Sequence, residues 1–105
     1  MSPSKARVNV YWTETAVENL SAIYAYIAQT SPQYAARVVD RLTRRSQQIA
    51  NFPLSGRIVS EFETEQIREV IEGSYRIIYY IKPEQIEVLA VLHGSQQITS
   101  TSVDE

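Results

Sequence analysis

The sequence contains no cysteine and only one histidine, His93. Without cysteine, disulfide bonds and thiolate metal sites are excluded, and a single histidine argues against a conventional zinc site. There is also no apolar run near the ~20 residues that a helix needs to cross a bilayer, and residues 1–9 lack the apolar stretch of a secretory signal. These absences predict a cytoplasmic protein that uses no metal and no cofactor.

Neither sign of charge dominates. The net charge is −2 at pH 7, which argues against bulk attraction to nucleic acid or to anionic lipid. The charges are nevertheless clustered, with acidic residues at Glu61, Glu63 and Glu65 and with arginines at Arg37, Arg41, Arg44 and Arg45. We expect these arginines to form the solvated face of a helix, and a docking surface for an acidic partner is the alternative.

Hydrophobic periodicity predicts a strand and two helices in the first half of the chain. Apolar residues alternate over residues 8–12, and Thr13 then supplies an N-cap for a helix that ends near Thr30. Ser31-Pro32 begins a second helix, which ends at Phe52-Pro53. The predicted inner faces are Ala16, Val17, Leu20, Ile23, Tyr24 and Ile27 on the first helix, and Ala35, Val38, Val39, Leu42, Ser46 and Ile49 on the second. The short link makes the helices antiparallel.

The second half predicts an irregular segment at residues 54–65 and then three strands. The strands cover residues 67–71, 75–81 and 85–92, and tight turns between them force an antiparallel meander. We expect residues 75–81 to form the central strand, and Ile86, Val88, Ala90 and Leu92 to share one face of the last. The fold class is therefore α+β: an N-terminal strand, an antiparallel two-helix hairpin and a three-stranded antiparallel meander. Residues 1–7 are expected to be flexible, 8–94 to form one domain, and 95–105 to be a polar, mobile tail.

Arg76 is the one charged residue of the predicted central strand. A buried guanidinium needs a carboxylate partner, because an unpaired buried charge is very costly. We favour a structural ion pair, with Glu69 across the hairpin as the partner. The functional alternative is a cation directed at a phosphate or at a carboxylate of another molecule.

His93 is the only residue whose ordinary pKa suits proton transfer near neutral pH. Catalysis needs a second positioned group, and the spacing of Tyr79, Tyr80 and Glu87 does not single one out. Arg57 and Arg68 are interpreted as solvated charges, although they could join Arg76 in a basic patch. No phosphate-binding loop, nucleophile elbow or metal-ligand spacing is present. The residues alone thus favour a protein that docks onto macromolecules over an enzyme.

Several short motifs occur in an order that resembles a known family. They are Tyr11-Trp12-Thr13, Ala16-Val17-Glu18-Asn19-Leu20, Tyr26-Ile27-Ala28, Pro53-Leu54-Ser55-Gly56-Arg57, Arg68-Glu69, Tyr75-Arg76-Ile77-Ile78-Tyr79 and Val91-Leu92-His93-Gly94. From about Val8 to Gly94 the chain resembles the ParE branch of the RelE/ParE toxin superfamily, which includes plasmid stabilization proteins.

The resemblance implies the toxin of a type II toxin–antitoxin module. ParE-branch toxins typically poison DNA gyrase and are neutralised by a ParD-like antitoxin. The related RelE branch cleaves mRNA on the ribosome, using lysines and arginines on the sheet and a C-terminal tyrosine. Where RelE-type enzymes carry sheet lysines this chain has Ile67 and Glu69, and where they carry a later arginine it has Gln96. It also departs from many ParE members, which have an arginine shortly after His-Gly.

Three hypotheses follow. The first is a non-enzymatic gyrase inhibitor that forms a hetero-oligomer with its antitoxin, without direct sequence-specific binding of nucleic acid. The second is a RelE-type ribonuclease in which Arg76 and His93 would be catalytic. The third is a non-toxic member that only binds an antitoxin. The residues proposed to contact partners are Ala22, Tyr26, Arg57, Arg68, Arg76, Tyr80 and His93.

Overall fold

The computed structural model describes residues 8–95. Its elements are β1 (Asn9–Trp12), α1 (Glu14–Ala28), α2 (Pro32–Ile49), a 3₁₀ turn (Pro53–Ser55), β2 (Arg57–Ile58), β3 (Ile67–Glu72), β4 (Tyr75–Ile81) and β5 (Gln85–His93). The predicted flexible segment 1–7 and all of the predicted tail except Ser95 lie outside the described residues.

The strands form one five-stranded sheet in the order β1-β5-β4-β3-β2. Strand β4 occupies the centre, as expected, and β3, β4 and β5 form the predicted antiparallel meander. Strand β1 lies parallel to β5, with Asn9 opposite Gln85 and Trp12 opposite Val88. The α+β fold class is confirmed.

Strand β2 was not predicted from the sequence. Arg57 and Ile58 pair antiparallel with Glu69 and Arg68 of β3, within the segment that was expected to be irregular. Two residues are too few to display an alternating pattern, so hydrophobic periodicity gives no signal for such a strand. The pairing places β2 at one edge of the sheet and β1 at the other.

The two helices begin where the caps predict. The hydroxyl of Thr13 accepts the N–H of Ala16 at 3.2 Å and donates to the carbonyl of Val88 at 2.9 Å, so the same residue starts α1 and attaches it to β5. The hydroxyl of Ser31 accepts the N–H of Tyr34 at 3.1 Å at the start of α2. Together the helices cover one face of the sheet, which we call the helix face.

The predicted inner face of α1 was wrong at two positions. Val17 and Tyr24 are 48% and 41% exposed, whereas Ala16 is fully buried. Helix α1 packs against β5 and α2 through a narrow set of residues that includes Leu20, Ile23 and Ile27. The residues at the sides of its apolar stripe are therefore not covered. On α2 the prediction holds for Ala35, Val38, Leu42, Ser46 and Ile49, which are all buried.

Strand β5 does not keep one face throughout, contrary to expectation. Ile78 pairs with Ala90 and Tyr79 with Val88, so Leu89 is left as a β-bulge. The extra residue shifts the alternation, as bulges do. Ile86 and Val88 therefore join the core on the helix face, whereas Ala90 and Leu92 join a second, smaller core on the opposite, outer face.

The outer-face core is closed by the segment between β2 and β3. Val59 is buried against Ile67, Ile78 and Leu89, and Phe62 packs on the same cluster. Among residues 8–95, neither helix is long and apolar enough to span a bilayer.

Candidate functional site

A buried carboxylate holds two arginines on the outer face. Oε1 of Glu69 lies 2.6 Å from both Nε and Nη2 of Arg76, and Oε2 lies 2.7 Å from Nη2 of Arg57. The Glu69 side chain is only 7% exposed and that of Arg76 only 16%. The structural ion pair predicted for Arg76 is confirmed, and Arg57, expected to be a solvated charge, shares the same carboxylate.

Arg76 and His93 lie on opposite faces of the sheet. Arg76 pairs with Leu92, whose side chain belongs to the outer core, whereas the neighbouring Tyr75 pairs with His93. Successive residues of a strand point to opposite faces, and the rings of Tyr75 and His93 meet edge-on with centroids 5.7 Å apart. The structure therefore does not bring together the two residues that a ribonuclease hypothesis would use.

Arg68 is directed to the main chain rather than to a carboxylate. Its Nη1 donates to the carbonyls of Leu54 and Gly56 at 3.1 and 3.0 Å, and its Nε donates to the carbonyl of Glu65 at 3.0 Å. Arg68 pairs with Tyr79 in the β3–β4 ladder, so both side chains lie on the helix face. Arg68, which was predicted to be a solvated charge, therefore anchors the segment that follows α2 to β3.

The Tyr79 hydroxyl fastens the same segment. It donates to the carbonyl of Pro53 at 2.6 Å and accepts the N–H of Gly56 at 3.1 Å, and the side chain is fully buried. Burial raises the pKa of Tyr79 above 10.0, partly opposed by the Gly56 N–H and by the nearby charges of Arg68 and Arg45. The phenol therefore remains a neutral donor throughout the physiological range.

A groove between α1 and β5 collects three of the proposed partner-binding residues. Ala22, Tyr26 and His93 line it together with Tyr75 and Val91, around a volume of about 330 Å³. Nδ1 of His93 lies 2.9 Å from the hydroxyl of Ser95. Burial, with smaller contributions from Tyr34 and Tyr26, raises the pKa of Tyr75 above 10.0. We call this feature the α1–β5 groove.

The side chain of Asn19, which also lines this groove, blocks the edge of β5. Its Oδ1 accepts the N–H of Val91 at 3.0 Å, beyond the point where β1 stops pairing. A main-chain donor that is already satisfied offers nothing to an added strand, so at this position the groove favours side-chain contacts.

Tyr80 lies away from that groove, on the outer face. It packs against the outer core, and the Nζ of Lys82 lies 5.6 Å from the centre of its ring. Lys82 also forms an ion pair with Glu87 at 3.0 Å. The proposed partner-binding residues thus form two groups on opposite faces, with Arg68 at the β2 edge.

The arginines of α2 only partly fit the predicted solvated face. Arg37, Arg41 and Arg44 are exposed, and Arg44 pairs with Asp40 one turn away at 3.1 Å. Arg45 is half-buried and contacts Glu72 of β3 at 3.7 Å. It therefore helps to attach α2 to the sheet.

A second apolar depression, between the two helices, was not predicted from the sequence. It is lined by Val17, Leu20, Ser21, Tyr24 and Val39. The width of the apolar stripe on α1, which exceeds what one helix and one sheet can cover, is the signal that could have indicated it. Within residues 8–95 no group of three or more acidic or histidine side chains could hold a metal ion.

Comparison with known proteins decides the family. Residues 10–98 match the family model described as the ParE toxin of the type II toxin–antitoxin system parDE. The chain belongs to the ParE toxin family. It is therefore the toxin component of a type II toxin–antitoxin system within the RelE/ParE superfamily, as its motif order indicated.

Two relatives of this ParE-family chain are named as toxins. It is 35% identical to the protein named "Putative toxin Y4kP" of Sinorhizobium fredii, over 88% of this chain and 94% of that protein. It is 33% identical to toxin RelE2 of Caulobacter vibrioides, over 83% of this chain and 96% of that protein.

Solved structures share the fold. A chain of the chromosomal ParDE system from P. aeruginosa aligns with a TM-score of 0.69 at 20% identity, covering 83% of this chain and 96% of that one. A chain of the RelBE2 toxin–antitoxin complex from Mycobacterium tuberculosis aligns with a TM-score of 0.56 at 23% identity, covering 84% and 99%.

Proposed function

We propose that this ParE-family toxin inhibits DNA gyrase by binding to it in the cytoplasm, and that a ParD-like antitoxin neutralises it. The observation that carries the proposal is the capture of Arg76 by the buried carboxylate of Glu69. A guanidinium already paired in this way is a poor ligand for a phosphate group, because binding would first require breaking a charge-assisted hydrogen bond. The sheet therefore suits recognition better than bond breaking.

The ribonuclease alternative needs cations that stabilise the charge developing on a phosphate, and an acid–base pair. On the outer face Arg57 and Arg76 share Glu69, and Lys82 contacts Glu87. His93 lies on the helix face, beside Tyr75. Because one relative is named toxin RelE2, ribonuclease activity is the alternative to be tested.

We propose that the antitoxin binds along the α1–β5 groove. Ala22 and the exposed ring of Tyr26 contribute apolar surface to the lining of this groove. An amphipathic helix laid into a groove is an economical way for the tail of an antitoxin to bind. Because Tyr80 lies on the other face, an antitoxin that also contacts it must wrap around the sheet edge. The family description and the ParDE neighbour support a toxin–antitoxin hetero-oligomer.

Supercoiling by purified gyrase tests the target. Titrating the toxin into the reaction is expected to inhibit supercoiling, and adding the antitoxin in equimolar amount is expected to restore it. Asp40→Asn, in an exposed ion pair of α2, serves as a control that should inhibit like the wild type. Full supercoiling at a large molar excess of toxin would reject gyrase as the target.

Expression in bacteria without the antitoxin separates the remaining hypotheses. A gyrase inhibitor should arrest growth and leave abnormal nucleoids, because unresolved supercoiling blocks chromosome segregation. Normal growth at a verified level of soluble toxin would favour the non-toxic, antitoxin-binding hypothesis.

A further inference from the structure

The segment that follows α2 exposes three large apolar side chains within residues 52–58. Phe52 is 70% exposed, Leu54 66% and Ile58 47%. Single exposed apolar residues are ordinary, but three in one short segment form a surface that water solvates poorly. No strand or helix within residues 8–95 covers them.

The backbone that carries these side chains is fixed from beneath. The Tyr79 hydroxyl holds Pro53 and Gly56, and Arg68 holds the carbonyls of Leu54 and Gly56. The structure leaves little room for rearrangement, because a Cβ on Gly56 would lie 2.7 Å from the carbonyl oxygen of Glu69. A surface that is already ordered loses little conformational entropy on binding.

Two arginines lie beside the segment that carries the apolar side chains: Arg57 belongs to it, and Arg68 contacts the carbonyls of Leu54 and Gly56. The three hydrogen bonds of Arg68 described above go to neutral carbonyls, so they satisfy its donors without cancelling its charge. Arg57 is exposed, and it shares one ion-pair partner, the carboxylate of Glu69, with Arg76. Glu69 thus binds two guanidinium groups, those of Arg57 and Arg76, while Arg68 donates to main-chain carbonyls.

We propose that residues 52–58, with Arg57 and Arg68 as their charged border, form the surface that docks onto the target protein. The fitting partner is a protein with an apolar depression bordered by carboxylates, because that surface complements both the apolar side chains and the arginines. A second copy of this chain fits less well, since a symmetric contact would bring like charges together. The inference rests on the proposed inhibition of gyrase and names the part of the toxin that does it.

The proposed surface is separate from the α1–β5 groove. Ile58 belongs to β2, at one edge of the sheet, and Leu54 lies in the turn just before it, whereas the groove lies along β5 toward the other edge. Target binding and antitoxin binding are therefore expected to respond to different substitutions. This separation makes the inference testable apart from antitoxin recognition.

The experiment uses the full-length toxin with Phe52→Asp or Leu54→Asp. Both side chains are exposed and make none of the hydrogen bonds that fix the segment, so the fold should persist, which thermal unfolding and antitoxin affinity will check. Tyr11→Asp is the matched control, an exposed aromatic on β1 at the opposite sheet edge. We expect at least a tenfold higher inhibitory concentration against gyrase for the two variants and no change for the control, with antitoxin affinity unaltered in all three.

Each other result has a definite meaning. If the wild type inhibits gyrase and the two variants match it, the docking surface is wrong while the proposed function stands. If both variants lose antitoxin binding as well, the surface belongs to the antitoxin or to the fold, and the inference is again rejected. Sedimentation equilibrium tests for a second copy of the chain at this surface. If the wild type and Tyr11→Asp are dimers but Phe52→Asp and Leu54→Asp are monomers, a second copy binds there instead of the target. A wild type that leaves gyrase unaffected overturns the proposed function and this inference together.

Discussion

Nε of Arg76 donates to Oε1 of Glu69 at 2.6 Å, across the β3–β4 hairpin. The carboxylate is almost completely buried, and its second oxygen holds Arg57 at 2.7 Å. One acidic residue of β3 thereby determines the position of two arginines from neighbouring strands. Arg76, the one charged residue of β4, is part of this ion-pair network on the outer face. The pairing explains how an otherwise apolar strand accommodates a charge.

Replacing Glu69 with glutamine should destabilise the protein. The substitution keeps the size of the side chain but removes the charge that Glu69 offers to the mostly buried Arg76, a loss of about 2 kcal/mol in the free energy of unfolding. Urea denaturation provides the measurement. Asp40→Asn, which removes an exposed pair, should cost less than about 0.5 kcal/mol. Equal stability of Glu69→Gln and wild type would show that the buried pair contributes nothing.

Alanine at position 56 should be poorly tolerated. The added Cβ would contact the Tyr79 hydroxyl and lie 2.7 Å from the carbonyl oxygen of Glu69, so either the segment or the strand must move. Crowding of this kind costs about 1–3 kcal/mol. Gly94→Ala is the matched control, because the nearest atom to its Cβ would be 3.3 Å away. The account is contradicted if thermal unfolding finds the two variants equally stable.

Stability should fall at alkaline pH, partly because of Tyr79. Burial raises the pKa of its phenol above 10.0 in the folded protein, so folding favours the neutral form. That contribution is complete below the unfolded pKa of about 10 and is lost as the pH rises through the folded value. Tyr75 titrates with the same sign.

Tyr79→Phe isolates the effect. The variant should be about 1–3 kcal/mol less stable at pH 7, because the buried N–H of Gly56 and the partly buried carbonyl of Pro53 lose their partner. It should also lose less stability than the wild type between pH 9 and pH 11. Tyr11→Phe, which removes a hydroxyl from an exposed side chain, should be as stable as the wild type at pH 7. Parallel curves for wild type and Tyr79→Phe would mean that Tyr79 does not titrate with unfolding.

A charge in the α1–β5 groove should weaken antitoxin binding. Ala22→Glu places a carboxylate on the apolar lining beside Tyr26, and we expect at least a tenfold rise in the dissociation constant. Ala25→Glu makes the same change on the solvent side of α1 and should bind as the wild type does. Tyr80→Ala reports separately on the outer face. Unaltered affinity of Ala22→Glu, measured by calorimetry, would place the antitoxin elsewhere.

Local signals in the sequence predicted much of the fold. Thr13 and Ser31 are helix caps whose chemistry acts within three residues, and both start helices as expected. The tight turns around Gly73 and Pro83 determine the meander, and the meander places Glu69 within reach of Arg76. These features depend on neighbours that are close along the chain.

Features that depend on distant contacts were not predictable. The bulge at Leu89 reverses the face of Ala90 without any marker such as glycine. The anchoring of Pro53 by Tyr79 joins residues 26 positions apart, and sequence spacing gives no measure of that distance. Val17 and Tyr24 continue an apolar stripe, and only the placement of α1 on β5 and α2 determines how much of it is covered.

The central claim is that this toxin acts by binding to a protein and not by cleaving RNA. An mRNA cleavage assay on ribosomes tests this claim most directly. Purified toxin is added to ribosomes programmed with a defined mRNA, and primer extension maps any new 5′ ends. Because Arg76 is held by Glu69 on one face and His93 lies on the other, we predict intact message at every toxin concentration. Cleavage by the wild type that Arg76→Ala abolishes would contradict the account.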